Sequence, residues 1–174
     1  MRSVVLVFLV LTLVPSLSLA EPFTNKSGEL TIEELGNWKV VQDTFKGTKA
    51  FVKLKNKKGG AATATFSFSN SKKVDVFGDK FVRAFKRVSK KRNTYFVAQK
   101  SADLAGSSYL SLLTVKAPKK QRNSRFPLVF MQQLVAFDNG RLHNFSFGSA
   151  FDDIENNAQF KHLLSQLSIS PLAQ

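Results

Sequence analysis

Apolar and polar residues alternate most cleanly between Ala62 and Ser69, where Ala62, Ala64, Phe66 and Phe68 interleave with Thr63, Thr65, Ser67 and Ser69. A period of two sends successive side chains to opposite faces of a strand, so the segment predicts a strand with one core face and one polar face. Upstream, Trp38 to Phe45 and Ala50 to Lys55 carry strand spacing on either side of Lys46-Gly47-Thr48 and predict a hairpin. Downstream the period changes. Phe77, Phe81, Ala84, Phe85 and Val88 predict a helix with one apolar arc, and Asp75 stands where it can cap that helix.

Asn93 and Thr94 close the helix, and Tyr95 to Ala98 resumes an extended pattern. Gly106 opens a strand from Ser108 to Val115 whose two faces are both apolar enough to be covered. Ala117 to Pro127, with two prolines and a run of basic residues, predicts a long solvated loop. Leu128 to Phe137 and Arg141 to Gly148 flank Asp138-Asn139-Gly140, a strong hairpin signal. Phe160, Leu163, Leu164 and Leu167 form the stripe of a closing helix that starts among Asp152 to Asn157 and ends before Pro171. Residues 21–37 hold few apolar anchors and are expected as an exposed lead-in, with one helical turn at Thr31 to Leu35, ahead of a single globular domain over 38–170. Three strands, a helix, about four strands and a helix predict an α+β fold, a mostly antiparallel sheet with helices packed on its faces.

The first 20 residues read differently. Arg2, an apolar run from Val4 to Val14, Pro15 and a small-x-small site at Ser18-Leu19-Ala20 are the three parts of a secretory signal. The run is well short of the ~20 residues a membrane-spanning helix needs. Cleavage is therefore expected near Ala20, leaving a chain of 154 residues with a formal charge of +13, since Arg2 is the only charge removed from +14. The chain has no cysteine, which excludes disulfides, thiolate metal sites and cysteine nucleophiles. Small secreted animal domains lean on disulfides, so their absence fits a bacterial envelope better, and the expected location is periplasmic or secreted, with the periplasm of a Gram-negative cell favoured. The sequons at Asn25 and Asn144 are short enough to arise by chance.

Trp38 opening a strand, Gly47 ahead of Ala50, the helix after Ser67 to Ser69 and Gly106 leading into Tyr109 form a recognisable series. With the Gln132 to Phe137 strand, the Asp138-Asn139-Gly140 turn and a last helix bearing Phe160 and Leu164, the chain from Trp38 to Ser168 resembles the PsbP-like family. That family includes the photosynthetic extrinsic subunit and bacterial envelope proteins of the DcrB type. The resemblance implies an α/β/α sandwich acting as a binding or assembly-assisting module, and it brings no active-site residues with it.

Charge supplies the candidate chemistry. Lys80, Arg83, Lys86, Arg87, Lys90 and Lys91 lie on the helix arc opposite the phenylalanines, Arg92 extends it, and Lys119, Lys120, Arg122 and Arg125 charge the loop with Lys116. Lys53, Lys55, Lys57 and Lys58 charge the hairpin. A helix face of one sign repels itself and lacks opposite-charge pairing, which points to an anionic partner. We select Lys80, Arg83, Arg87, Lys90, Lys91, Lys119, Lys120, Arg122 and Arg125 as candidate partner-binding residues. The partner is an anionic envelope component or an acidic protein, and peripheral membrane contact is compatible with the same surface.

Nearly all of the 17 phenylalanines sit at core positions of strands or helices and do not alternate with Lys or Arg on an exposed face, which argues against nucleic-acid recognition. His143 shares core parity with Phe145 and Phe147, and His162 has no neighbouring ligand residue, so neither suggests a metal site. Asp152, Asp153 and Glu155 lie where negative charge favours a helix start, and Gly59-Gly60 lacks the Lys-Ser or Lys-Thr of a phosphate loop. The reading is a non-catalytic exported accessory protein without a cofactor. Its alternatives are a hydrolase using Asp152, Asp153, Glu155 or His143 in a cleft, and a structural subunit of an exported assembly.

Overall fold

The computed structural model describes residues 21–57, 62–92, 94–116, 129–150, 154 and 157–172. In chain order the elements are β1 (Phe23–Thr24), β2 (Leu30–Ile32), β3 (Trp38–Lys46), β4 (Lys49–Asn56), β5 (Thr63–Asn70) and α1 (Asp79–Lys91). There follow β6 (Thr94–Leu104), β7 (Ser107–Lys116), β8 (Val129–Asp138), β9 (Arg141–Ser149), α2 (Ala158–Ser165) and β10 (Leu167–Ile169). The fold is α+β and mostly antiparallel, with two helices among the described residues.

Seven strands form one sheet in the order β3-β4-β5-β9-β8-β7-β6, with every neighbouring pair antiparallel. It consists of two meanders, β3 to β5 and β6 to β9, joined where β5 meets β9. The alternation read at Ala62 to Ser69 explains that seam. Ala64, Phe66 and Phe68 are buried and lie opposite Phe147, Phe145 and His143, while Thr65 and Ser67 lie opposite Ser146 and Asn144 on the other face. Edge-on aromatic contacts bind the seam, with Phe66 at 5.1 Å from Phe145 and 5.8 Å from Phe147 between ring centroids. Phe160 of α2 extends the cluster, at 5.3 Å from Phe147 and 5.5 Å from Trp38. The outer strands β3 and β6 each carry a register shift, at Val41 and at Val97, and both of these valines are exposed.

Four features differ from the sequence reading. The segment expected as an exposed lead-in is packed, with no helical turn at Thr31 to Leu35. Leu30 and Ile32 are 0% exposed and belong to β2, which pairs with β1 and with β10 from the far end of the chain. Strands of two or three residues hold too few apolar positions to show a period, and their stabilising partner is remote in sequence. The first helix begins at Asp79, behind a Gly78 N-cap with extended backbone and no side-chain cap, so Asp75 does not cap it. Phe77 and Val88 are each 47% exposed, and the helix buries Val82 and Ser89 with Phe81 and Phe85 partly covered. The arc is turned because α1 packs through Val82, Phe81 and Phe85 on Leu110 and Leu112 of β7 and Phe96 of β6, leaving Val88 outside the contact. The extended segment at Tyr95 runs on to Leu104, since pairing with β7 holds even its polar residues in register. The closing helix ends at Ser165, and Leu167 instead enters β10 opposite Ile32.

The two helices meet the sheet through residues of opposite parity. Leu110 and Leu112 take α1, whereas Phe147 and Trp38 take α2. Asn157 caps α2 by accepting a hydrogen bond from the Gln159 amide at 3.0 Å.

Candidate functional site

Two regions concentrate chemistry, and the first is the basic surface. Lys80, Arg83, Arg87, Lys90 and Lys91 are all exposed on α1, as the sequence led us to expect. The expectation of a face without opposite charge fails at one position, where Arg83 lies 3.5 Å from Asp79 one turn earlier. Both side chains are largely exposed, so the pair neutralises little of the arc. Lys86 lies 4.3 Å over the centroid of the Phe96 ring, a cation–π contact on the helix flank. Lys119, Lys120, Arg122 and Arg125 lie outside the described residues, as do Lys58, Gly59, Gly60, Asp152, Asp153 and Glu155.

Strand register adds a relation that the sequence did not carry. Lys53 pairs with Thr65, Thr65 with Ser146, Ser146 with Gln133, and Gln133 with Leu112, which packs under α1. The hairpin lysines Lys53 and Lys55 therefore stand on the same side of the sheet as the basic helix. Four strand spacings of about 4.8 Å separate them, roughly 19 Å. Lys57 is elsewhere, donating to the Gly36 carbonyl at 3.0 Å.

The second region is a cleft of about 660 Å³ at the end of the sheet where the β6–β7 and β8–β9 turns lie. The end of β5, Glu29 and C-terminal residues 169–172 complete its wall. Arg141 and Glu29 form its base. Their side chains are 7% and 2% exposed, Arg141 Nε donates to Glu29 Oε1 at 2.8 Å, and Nη2 donates to Oε2 at 2.7 Å. Arg141 Nη1 donates to the Thr48 carbonyl and to Asn70 Oδ1, while Ser27 Oγ donates to Glu29 Oε2 at 2.9 Å. A buried charge without such partners would be costly, and here each guanidinium nitrogen is engaged.

Beside the pair, His143 Nδ1 lies 2.9 Å from the hydroxyl of the fully buried Tyr109. Burial pushes the imidazole pKa below its ordinary 6.5; Asp138 and Glu29 oppose that shift and Arg141 adds to it. Burial, with Asp138 second, pushes the Tyr109 phenol above its usual value of 10.0. Tyr109 thus keeps its proton and His143 is neutral near pH 7.

His143 is buried in the core face, as its parity indicated. The sequence reading missed its neighbours, although one signal was present. Arg141 shares the parity of His143, Phe145 and Phe147, and an arginine at a core position demands a buried acid. The hydrolase alternative finds Glu29 and Asp138 near His143, while its other proposed acids lie outside the described residues. Among the described residues no group of three or more His, Asp or Glu side chains is arranged to hold a metal ion.

No family model matches the chain, and no curated protein matches it in sequence. Solved structures do. Cyanobacterial PsbP (CyanoP) from Synechocystis sp. PCC 6803 superposes with a TM-score of 0.58 at 13% identity, over 86% of this chain and 92% of that one. A protein from Bacteroides thetaiotaomicron superposes with a TM-score of 0.53 at 7% identity, over 88% of this chain and 49% of its own. LpqN, involved in cell envelope biogenesis of Mycobacterium tuberculosis, reaches 0.45 at 12% identity over 86% and 90%, too distant to carry weight. The fold is PsbP-like.

Proposed function

We propose that this chain is a non-catalytic accessory protein, exported after cleavage near Ala20, that engages an anionic envelope component or an acidic protein through its basic surface. We read the layering as the α/β/α sandwich that the PsbP-like resemblance implies, with α1 and α2 on opposite sides of the sheet. The observation that carries the proposal is the exposure of Lys80, Arg83, Arg87, Lys90 and Lys91 on one helix, with Lys53 and Lys55 on the same side of the sheet. Charge gathered on one side raises the local concentration of an anionic partner and orients its approach.

The test uses vesicles of phosphatidylglycerol against phosphatidylcholine, and capture of proteins from envelope extracts, at low and high salt. Binding weakens with salt, because the screening length contracts from about 10 Å at 0.1 M to about 3 Å at 1 M. Reversing Arg83, Arg87 and Lys90 to Glu abolishes it. Lys53 and Lys55 share the helix side, so the matched control reverses Lys26, Lys57 and Lys161, all exposed, and retains binding. Equal loss in both triple variants reduces the effect to net charge. No loss in either leaves only a soluble basic surface.

A further inference from the structure

We propose that the cleft at the turn end of the sheet binds a small, uncharged, hydroxyl-rich ligand of saccharide size, independently of the basic surface. Its volume of about 660 Å³ suits a small molecule, since such sites typically enclose about 300–1,000 Å³. The cleft draws on segments far apart in the chain, and its base is a hydrogen-bonded set of polar groups around the buried Arg141–Glu29 pair.

The lining selects the ligand class. On a chain with a formal charge of +14, the cleft is a place without an available cation. Arg141 is the one Lys or Arg among the described lining residues, and its nitrogens are taken by Glu29, Asn70 and the Thr48 carbonyl. Asp138 adds a carboxylate. An anion therefore meets repulsion here, in contrast to the basic face of the protein.

Hydroxyl groups meet complementary partners. Asp138 accepts, one of its oxygens already taking the Asn139 Nδ2–H at 3.2 Å, while Ser107 and the rest of the Asn139 amide both donate and accept. His143 brings an imidazole whose orientation is held by its hydrogen bond to Tyr109. The fully buried Tyr109 hydroxyl shares a 2.9 Å hydrogen bond with His143 Nδ1, and in the tautomer where the phenol donates, the imidazole proton sits on Nε2. His143 is one of the residues that line the cleft. Ile169 and Leu172 give the apolar side against which the C–H face of a sugar ring packs. With the His143 proton on Nε2, a diamine would find Asp138 but also an N–H donor, whereas a neutral polyol satisfies both.

The experiment is a ¹H–¹⁵N NMR titration of the labelled full chain with glucose and N-acetylglucosamine, and with inorganic phosphate and putrescine as charged probes. Saturable shifts of the Asn70, Ser107, Asn139 and His143 amides with a sugar, and not with either charged probe, support the proposal. Asp138→Ala raises the sugar Kd at least tenfold, and Ser170→Trp, at an exposed position on the cleft wall, blocks binding. The Arg83, Arg87 and Lys90 reversals leave the sugar shifts unchanged, so failure of the basic-surface reading is separable from failure of this one. The proposal is overturned if neither sugar moves these amides, if phosphate or putrescine moves them more, or if the shifts persist in folded Asp138→Ala and Ser170→Trp.

Discussion

Replacing Glu29 or Arg141 by Met tests how far the base of the cleft holds the fold together. In the native chain the guanidinium makes two hydrogen bonds to Glu29 and two more to Thr48 and Asn70, with both charged side chains at least nine-tenths buried. Glu29→Met leaves the arginine charge buried without its counter-ion. Arg141→Met leaves the carboxylate with the Ser27 hydroxyl as its remaining side-chain donor. Breaking one side of such a pair costs about 3–5 kcal/mol, whereas removing both sides for apolar residues of similar volume is often near neutral. Thr48 and Asn70 are exposed and can turn to water. The double variant should therefore be more stable than either single one. Urea denaturation followed by fluorescence of Trp38, the one tryptophan and a buried one, measures all four proteins. Singles that each cost under about 1 kcal/mol, or effects that add within ~0.5 kcal/mol, would refute the coupling.

Other measurements probe the core, the histidine and a turn. Phe66→Ala should cost about 3–5 kcal/mol by denaturation, and the half-buried Phe81 clearly less, so equal costs would contradict the packing. Burial lowers the His143 pKa in the folded chain, so an NMR titration of its ring should give a midpoint below 6.5. Because the unfolded chain takes up that proton first, this contribution is complete above pH 6.5 and declines as pH falls through and below it; His143→Gln should flatten the decline. Ala105 has φ +48°, a left-handed conformation that disfavours a side chain with Cβ. Ala105→Gly should therefore raise stability by about 1 kcal/mol, or about 2–4 °C in Tm for a chain of this size, and a drop in Tm would count against that strain.

Local patterns were legible where neighbours in sequence are neighbours in the structure. The Ala62 to Ser69 alternation and the Asp138-Asn139-Gly140 turn placed β5 and the β8–β9 hairpin, and the latter closes with Asn139 and Gly140 both at positive φ. The phase of α1 was less legible. Phe77, Ala84 and Val88 satisfy a helical period, but what a helix buries depends on the strands it packs against, which no single segment encodes. The β2–β10 pairing joins Ile32 to Leu167, and neither short strand is recognisable alone. The basic helix could be read directly because its charges are exposed and local. Glu29, Asn70, Asp138 and His143 look ordinary one by one, and only the fold assembles them into a cleft.

The bulges at Val41 and Val97 fall on the two strands that end the sheet. An outer strand presents backbone donors and acceptors on which another chain can lay a strand of its own, and a shift of register interrupts the even spacing such an addition needs. Lys39 and Lys46 add charge along β3. On β6 the hindrance falls beside Tyr95, which is 64% exposed and would otherwise favour adhesion. Both margins of the seven-stranded sheet are thus poorly suited to templating a further strand. Deleting Val41 or Val97 would even out one margin and open the way to chain-by-chain growth.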